Sequence, residues 1–363
     1  MRPPTIDCHV HVRAGTDLPV LARVGRESGL QAMAIASTPD PERVNTNPLA
    51  FLAKKSHPGF FYLFAALDHS AHFSGGSLVS PSPGAQTDLL AELGADGIKL
   101  LETKPTSRKI MDVPADGDYF SGVFKRAEKR GLPLLWHVAD PGEFWIPRLT
   151  PEWARRRGWG YDRSHVSPRQ LYAEVGRVLS RHPDLKVIFP HFYFLSDDLD
   201  RAGALLADRP NVHLDLAPGI ELYYNLSRDP ARTREFFLKH SARILFGTDM
   251  GLLPELGAGA HAARLELVRR FLETDDEFRV PQQADYLLGP PEDGLIRGVN
   301  LPDETLEKIC RGNFERLAGS RPRPLNLELA AGECRRIAAE VDALAGGRAA
   351  DNTAAKVADL LEN

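Results

Sequence analysis

The sequence predicts an α/β fold: a (β/α)8 barrel of TIM type, with long loops at its C-terminal face and a C-terminal helical extension. Three observations carry this. Eight short apolar runs recur along the chain, amphipathic segments separate them, and polar residues close several runs at the same end. Strand-length runs alternating with helical patterns read as parallel βαβ units. Eight such units favour a closed barrel over an open sheet, with the site at the C-terminal ends of the strands.

The runs are TIDCHVHV (5–12), LQAMAIAS (30–37), FFYLFAALD (60–68) and ADGIKLLE (95–102), then LPLLWHVA (132–139), LKVIFPHF (185–192), NVHLDLAP (211–218) and ARILFGTDM (242–250). Between them lie helical patterns such as TDLLAELG, YFSGVFKRAEKRG, PRQLYAEVGRVLSRHP and PARTREFFLKHS. KRGLPLLW and RHPDLKVIF pass from a helix end through Gly or Pro into a strand. The loops after the fourth, fifth and eighth strands are long: 102–118, 140–167 and most of 251–300. Long loops on one face build a lid or a pocket. Residues 1–320 read as the barrel domain. Residues 321–363 open on RPRPLN, turn helical and read as an extension that packs on the barrel or on a second subunit.

Composition narrows the function. The chain has 363 residues, 43% of them hydrophobic, enough for a large core. A net charge of −4 gives no field for nucleic acid, and no polybasic block marks an anionic membrane. Cys8, Cys310 and Cys334 are too few for a disulfide framework, which points to a reducing compartment. No apolar run approaches the ~18 residues that span a bilayer, and a first strand from about Thr5 leaves no room for a signal peptide. The expectation is a cytoplasmic protein acting on a small molecule, free of nucleic acid and membrane, with a homodimer as an option for the helical tail.

The first strand carries the chemistry. Alternation along a strand puts Asp7, His9 and His11 on one face and Cys8, Val10 and Val12 on the other. A polar face turned into a barrel is costly unless something satisfies it. Two imidazoles one pleat apart can clamp a divalent metal, with Asp7 orienting one from below. His137 ends the fifth strand, His191 the sixth and Asp249 the eighth, while Lys99 and Glu102 lie near the end of the fourth. All fall at one rim. Histidine and carboxylate donors suit zinc, with Mn, Fe or Ni as alternatives, as one or two ions. Each residue alone has a plain structural reading: a core histidine, or an aspartate capping a helix. Together they are hard to explain without a ligand.

A metal so held can lower the pKa of a bound water. Asp249 can ligate and also take a proton, and His191 can polarise a carbonyl or shuttle a proton, which makes these two the catalytic candidates.

This ordered set resembles the amidohydrolase superfamily. The match is DxHxH on the first strand, then His137, His191 and Asp249 on strands five, six and eight. RGNFERL (311–317) resembles the segment that closes the barrel in the amidohydrolase-related branch. That branch includes decarboxylases, lactonases and hydratases. The resemblance spans about residues 5–318. It implies His9, His11, His137 and Asp249 as metal ligands, and His191 as either a second-metal ligand or the catalytic histidine. Lys99 resembles the lysine that, carboxylated, bridges two metals in many relatives, whereas some relatives use a strand-four Glu, here Glu102. These two have opposite parity, so at most one points inward. The histidine here sits in PHFYF, where the family often places a Gly soon after it.

The lid loops carry Lys104, Arg108, Trp145, Arg148 and Tyr224, with Trp153, Trp159, Tyr161, Arg163 and Tyr223 nearby. Arg can grip a carboxylate in two-pronged fashion and aromatic rings can cover a flat body. This points to a small organic acid. His165, His182, His240 and His261 carry no ligand pattern and read as surface or loop residues. Three functions remain open: a metal-dependent hydrolase of an amide, lactone or ester, which is favoured; a metal-dependent decarboxylase; and a non-catalytic barrel.

Overall fold

The computed structural model describes residues 3–38, 45–74, 78, 80–251, 257–281 and 294–363. Eight strands follow the predicted order: β1 (Thr5–Val10), β2 (Leu30–Ala36), β3 (Phe61–Ala66), β4 (Gly97–Thr103), β5 (Leu134–Val138), β6 (Val187–Phe189), β7 (Val212–Asp215) and β8 (Ile244–Leu245). Each pairs in parallel with the next in the sequence. The ring closes between its ends. Cys8 N donates to Phe246 O at 3.0 Å, His11 N to Met250 O at 2.7 Å, and Val10 bridges Met250 in parallel.

A helix follows each strand: Leu18–Glu27, Asn47–Ser56, Pro83–Glu92, Asp118–Arg130, Pro168–Arg181, Leu199–Asp208, Pro230–Lys239 and Ala258–Glu273. Their starts are written locally. The side chains of Asp17, Ser82, Ser167, Asp198 and Asp229 each accept an amide of the first turn. Such a cap contributes ~1 kcal/mol. Their buried faces, such as Leu171, Val175, Val178 and Leu179, pack on the outside of the strands.

Inside the ring lies a second core of Ala34, Ala36, Phe64, Leu135, Ile188 and Leu245. Phe314 and Leu317, from the helix Asn313–Ala318, join it. Asn313 Nδ2 donates to Ser241 O and Ile244 O, at the start of β8. RGNFERL therefore seals the end of the barrel opposite the polar rim.

Register shifts in β1 and β4 correct the simple alternation. From Asp7 to Val10 β1 advances three residues while β2 advances two, Met33 to Ile35. A bulge re-aims the side chains around it. Cys8 consequently sits in the inner core, not on the outer face with Val10 and Val12. A second register shift separates Leu100 from Thr103 on β4.

β6 and β8 are shorter than predicted. After Phe189 the chain leaves the strand, and His191, Phe192, Tyr193 and Phe194 all take left-handed conformations, with φ of 53°, 57°, 59° and 53°. Non-glycine residues pay roughly 1–2 kcal/mol each for this. The aromatic rings pack closely in return: Phe189 stacks on Tyr193 at 3.9 Å, and Phe192 stacks with Phe237 at 6.1 Å.

The extension forms two helices, Leu327–Leu344 and Thr353–Glu362, packed together and on Asn47–Ser56. Cys334, Val357 and Leu361 belong to the main core. Asp96 holds the lead-in: Oδ1 accepts from Arg323 N at 2.7 Å, while Oδ2 accepts from Leu63 N and from the Lys54 ammonium. Gly94 makes room for it. Its φ is +101°, and a Cβ there would lie 2.1 Å from Pro324 O.

The long loops carry short elements: helices Pro105–Met111 and Glu152–Arg156, the 3-10 turn Gly142–Trp145, and a hairpin of β9 (Glu277–Arg279) with β10 (Leu295–Arg297). Within the predicted 251–300 loop, residues 252–256 and 282–293 lie outside the described residues. Among the described residues, no helix is long and apolar enough to cross a membrane.

Candidate metal centre

At the C-terminal end of the barrel three donors converge. His9 Nε2 lies 3.1 Å from His11 Nε2, and Asp249 Oδ1 lies 2.9 Å from His11 Nε2 and 3.5 Å from His9 Nε2. All three residues are buried. The turn after β8 sets the carboxylate: Asp249 has φ +56°, and its N donates to His9 O at 2.8 Å. Gly251 lets this turn close on β1. Its φ is +79°, and a Cβ would fall 2.0 Å from His11 O.

The hydrogen bonds fix which nitrogens are free. His11 Nδ1 faces Ala36 O at 2.7 Å and His191 Nδ1 faces Ala217 O at 3.0 Å. A carbonyl only accepts, so both rings carry their proton on Nδ1 and a lone pair on Nε2. His9 Nδ1 faces Asp215 Oδ2 at 2.9 Å, which gives His9 the same tautomer. Burial lowers the pKa of His9, His11 and His191, the last to about 3, and keeps the rings neutral. Burial alone raises Asp249, and only positive charge on the neighbouring His9 and His11 imidazoles pulls its carboxyl well below its ordinary value; with those rings neutral, that charge has to come from a cation. Two imidazole lone pairs and a carboxylate turned on one point repel one another until a cation sits between them. The donor set therefore fits a divalent metal.

The other predicted residues divide. Lys99 points into the barrel, its Nζ 3.4 Å from His9 Nε2, and burial pushes its ammonium down to about 8. Glu102 turns away: its carboxylate accepts from Leu101 N at 2.8 Å and meets His69 Nε2 at 2.8 Å. The β4 bulge lies between these two residues, and Glu102 stands outside the donor group. His137 is at the floor, but its Nε2 meets Asp140 Oδ1 at 3.0 Å and its ring faces His191 at 5.3 Å. His191 sits in the left-handed turn rather than on the strand, with its ring 5.5 Å from that of His9. Asp7 does not orient an imidazole. It accepts from Thr248 N, Thr248 Oγ1 and His9 N, tying β1 to the turn after β8.

Over the donors lies a cavity of about 110 Å3. His9, His11, Lys99, His137, His191 and Asp249 form its floor; Phe144, Trp153, Trp159, Phe194 and Ile220 wall it; Arg13, Thr38, Lys104 and Asp140 stand among them. Of the five predicted substrate residues only Lys104 lines this space. Its ammonium pairs with Asp140 and lies 4.1 Å from the centre of the Trp159 ring. Arg108 is buried against Glu174, with Nη2 to Oε1 at 3.4 Å. Trp145 packs on Tyr161, Arg148 is exposed, and Tyr224 packs against the main core. His261, expected at the surface, is buried on the helix Ala258–Glu273.

Two residues at the site went unpredicted. Asp215 ends β7 and is fully buried. A lone acid in NVHLDLAP at a strand end is the signal already used for His137 and His191. Asp140 follows His137 by three residues, and its carboxylate also takes the Lys104 ammonium and the Tyr161 hydroxyl. Those cations and hydrogen bonds outweigh burial and hold its carboxyl down at about 2.

A closed parallel barrel with a His-His-Asp group at its C-terminal rim defines a class of barrel proteins suited to a divalent cation. The amidohydrolase family profile matches residues 6–319, and the chain belongs to that family. No curated protein matches it in sequence. Solved structures share the fold at low identity. The IDCase of Metarhizium anisopliae in apo form is 13% identical, with a TM-score of 0.55 over 87% of this chain and 97% of that one. The 5-carboxyvanillate decarboxylase of Sphingomonas paucimobilis is 13% identical, with a TM-score of 0.50 over 87% and 98%. A 2,6-dihydroxybenzoate decarboxylase from Rhizobium is 12% identical, with a TM-score of 0.50 over the same shares.

Proposed function

We propose that this chain is a metal-dependent decarboxylase of a small carboxylic acid with a planar body. One observation carries the reading: among the described residues one three-donor group is found, and it lies at the floor of a small cavity whose walls are mainly aromatic. The enclosed part of the cavity, about 110 Å3, is smaller than the ~150 Å3 that accepts one benzene ring in an engineered core, and it opens towards solvent, so a planar acid would lie partly inside it. Glu102 faces elsewhere and His137 is tied to Asp140, so the three donors support one ion, and a bridged pair would need Lys99, which points into the barrel beside His9. Two of the similar structures are decarboxylases of aromatic acids, which supports the same choice.

His9, His11 and Asp249 would hold the ion, zinc by donor type, with Mn, Fe or Ni as alternatives. When bound, such an ion supplies a Lewis acid that draws electron density from substrate oxygen. Trp159 and Phe144 would cover the planar body, while Arg13 and Lys99 place positive charge at the cavity for an acidic group, the Lys104 ammonium being already paired with Asp140. In the reaction the bond to the carboxylate carbon breaks, CO2 leaves, and its electron pair stays on the substrate. A proton then replaces it on carbon. Asp249 and His191 face that space with unprotonated atoms, so either would take a proton from solvent water and hand it to that carbon.

Hydrolysis of an amide, lactone or ester is the second reading. Asp249, a carboxylate within the donor group and facing the cavity, favours it as a group beside the water that would attack.

The test starts with metal per chain on protein purified without chelator. Metal-replete enzyme is then given hydroxybenzoic and unsaturated carboxylic acids in deuterated water. CO2 release with one deuteron on the product carbon is the expected result. Heavy oxygen from labelled water in the product, without CO2, would replace decarboxylation by hydrolysis. A protein that takes up no metal would exclude both and leave a non-catalytic barrel.

A further inference from the structure

We propose that Asp215 is the positioning residue that makes His9 a ligand, by fixing its tautomer, while the same carboxylate anchors the turn that carries His191. The inference rests on the metal reading of the site but not on which reaction follows.

The carboxylate of Asp215 is fully buried at the end of β7. Oδ1 accepts from His191 N at 2.8 Å and from Ala217 N at 3.0 Å. Oδ2 meets His9 Nδ1 at 2.9 Å. Burial raises the Asp215 pKa, the backbone N–H groups of His191 and Ala217 on Oδ1 oppose that rise by favouring the carboxylate, and an ionised carboxylate accepts on both oxygens. His9 must then donate from Nδ1, which leaves its lone pair on Nε2, the atom facing His11 and Asp249. Histidine ligands are commonly oriented in this way through their far nitrogen. Here one side chain does more, because its other oxygen holds the first residue of the left-handed turn. The ring of His9 and the backbone of His191 are set by a single group.

The Asp215→Asn variant separates these functions. The amide oxygen can keep both backbone bonds, so the turn remains anchored. The amide nitrogen then faces His9 Nδ1 as a donor against a donor. The conflict is relieved when the His9 proton moves to Nε2, where it blocks the metal. Shape is preserved and the tautomer is inverted.

The experiment is cobalt(II) titration of the full chain, wild type against Asp215→Asn, by calorimetry and by the visible spectrum of the bound ion. The expected result is a 10- to 100-fold weaker affinity in the variant, with an unchanged far-ultraviolet circular dichroism spectrum. Equal cobalt affinity in the two chains would overturn the proposal alone. A wild-type chain that binds no cobalt would overturn the metal reading, and this proposal with it. If the variant does not fold, nitrogen-15 spectra of zinc-loaded wild type decide. Their His9 signals are assigned by their loss in His9→Gln. His9 bound through Nε2 with its proton on Nδ1 supports the proposal, and the reverse arrangement overturns it.

Discussion

Glu221 offers a sharp test of how burial acts in this fold. It lies in the loop after β7, 8% exposed, and neither carboxyl oxygen meets a donor on another residue. Burial, with Glu143 nearby, raises its pKa from 4.5 to about 8. The folded chain therefore holds a proton that the unfolded chain releases at lower pH. The stability linked to Glu221 is fully present below pH 4.5 and is lost as pH rises towards 8. More than three units at about 1.4 kcal/mol each gives an effect on the order of 4 kcal/mol. Asp7 and Glu340, each raised by burial to about 7, titrate in the same range, so the wild-type slope is not specific. Comparison with Glu221→Gln isolates one group, because Gln has a similar shape and does not titrate. Urea unfolding at pH 5 and pH 8 is the assay. The wild type should lose more stability between these pH values than the variant does, by several kcal/mol. Equal losses in the two chains would refute the argument that this carboxyl is kept neutral by its surroundings.

The remaining expectations concern the rim. His11→Ala removes a donor at the rim of the barrel, so metal content per chain should fall to background while circular dichroism still reports a folded barrel. Asp249→Asn keeps the shape and a weaker donor. Some metal should remain by elemental analysis, but turnover of any substrate found should drop at least 100-fold. Gly251→Ala would place a methyl 2.0 Å from His11 O at a φ of +79°. It should cost more than about 1 kcal/mol in unfolding experiments and weaken cobalt binding, although residue 251 carries no ligand.

The barrel was legible because the period of the apolar runs is a local property. Each strand needed only its own alternation, and five of the eight helix starts carry their own Asp or Ser cap. His9, His11 and Asp249 were legible as well, since polar residues at the ends of apolar strands carry a cost that needs a reason. The bulges were not legible. They arise where β1 and β4 pair out of step with their neighbours, and the one in β1 decides that Cys8 turns inward; Glu102 turning away while Lys99 points in is what strand parity alone expects. The cationic residues of the loops were misread for a related reason. Arg108 looks available for a substrate, but its partner Glu174 lies 66 residues further on and comes into reach only in the folded chain. Asp215 and Asp140 obeyed the rule applied to the histidines and were passed over because acids at strand ends are also common as caps.

The four left-handed residues at 191–194 link the cavity to the far side of the wall. Their conformation persists only while the rings of Phe192 and Tyr193 stay seated, and Phe192 is seated against Phe236 and Phe237 of the outer helix. A screen for altered activity should therefore return substitutions at Phe237, which lies outside the cavity lining. Such changes would loosen the angle at which His191 is presented without altering any atom that meets the substrate. An engineer who wants a different pocket has a remote handle there, and one who wants only a more stable barrel should leave that pair of phenylalanines alone.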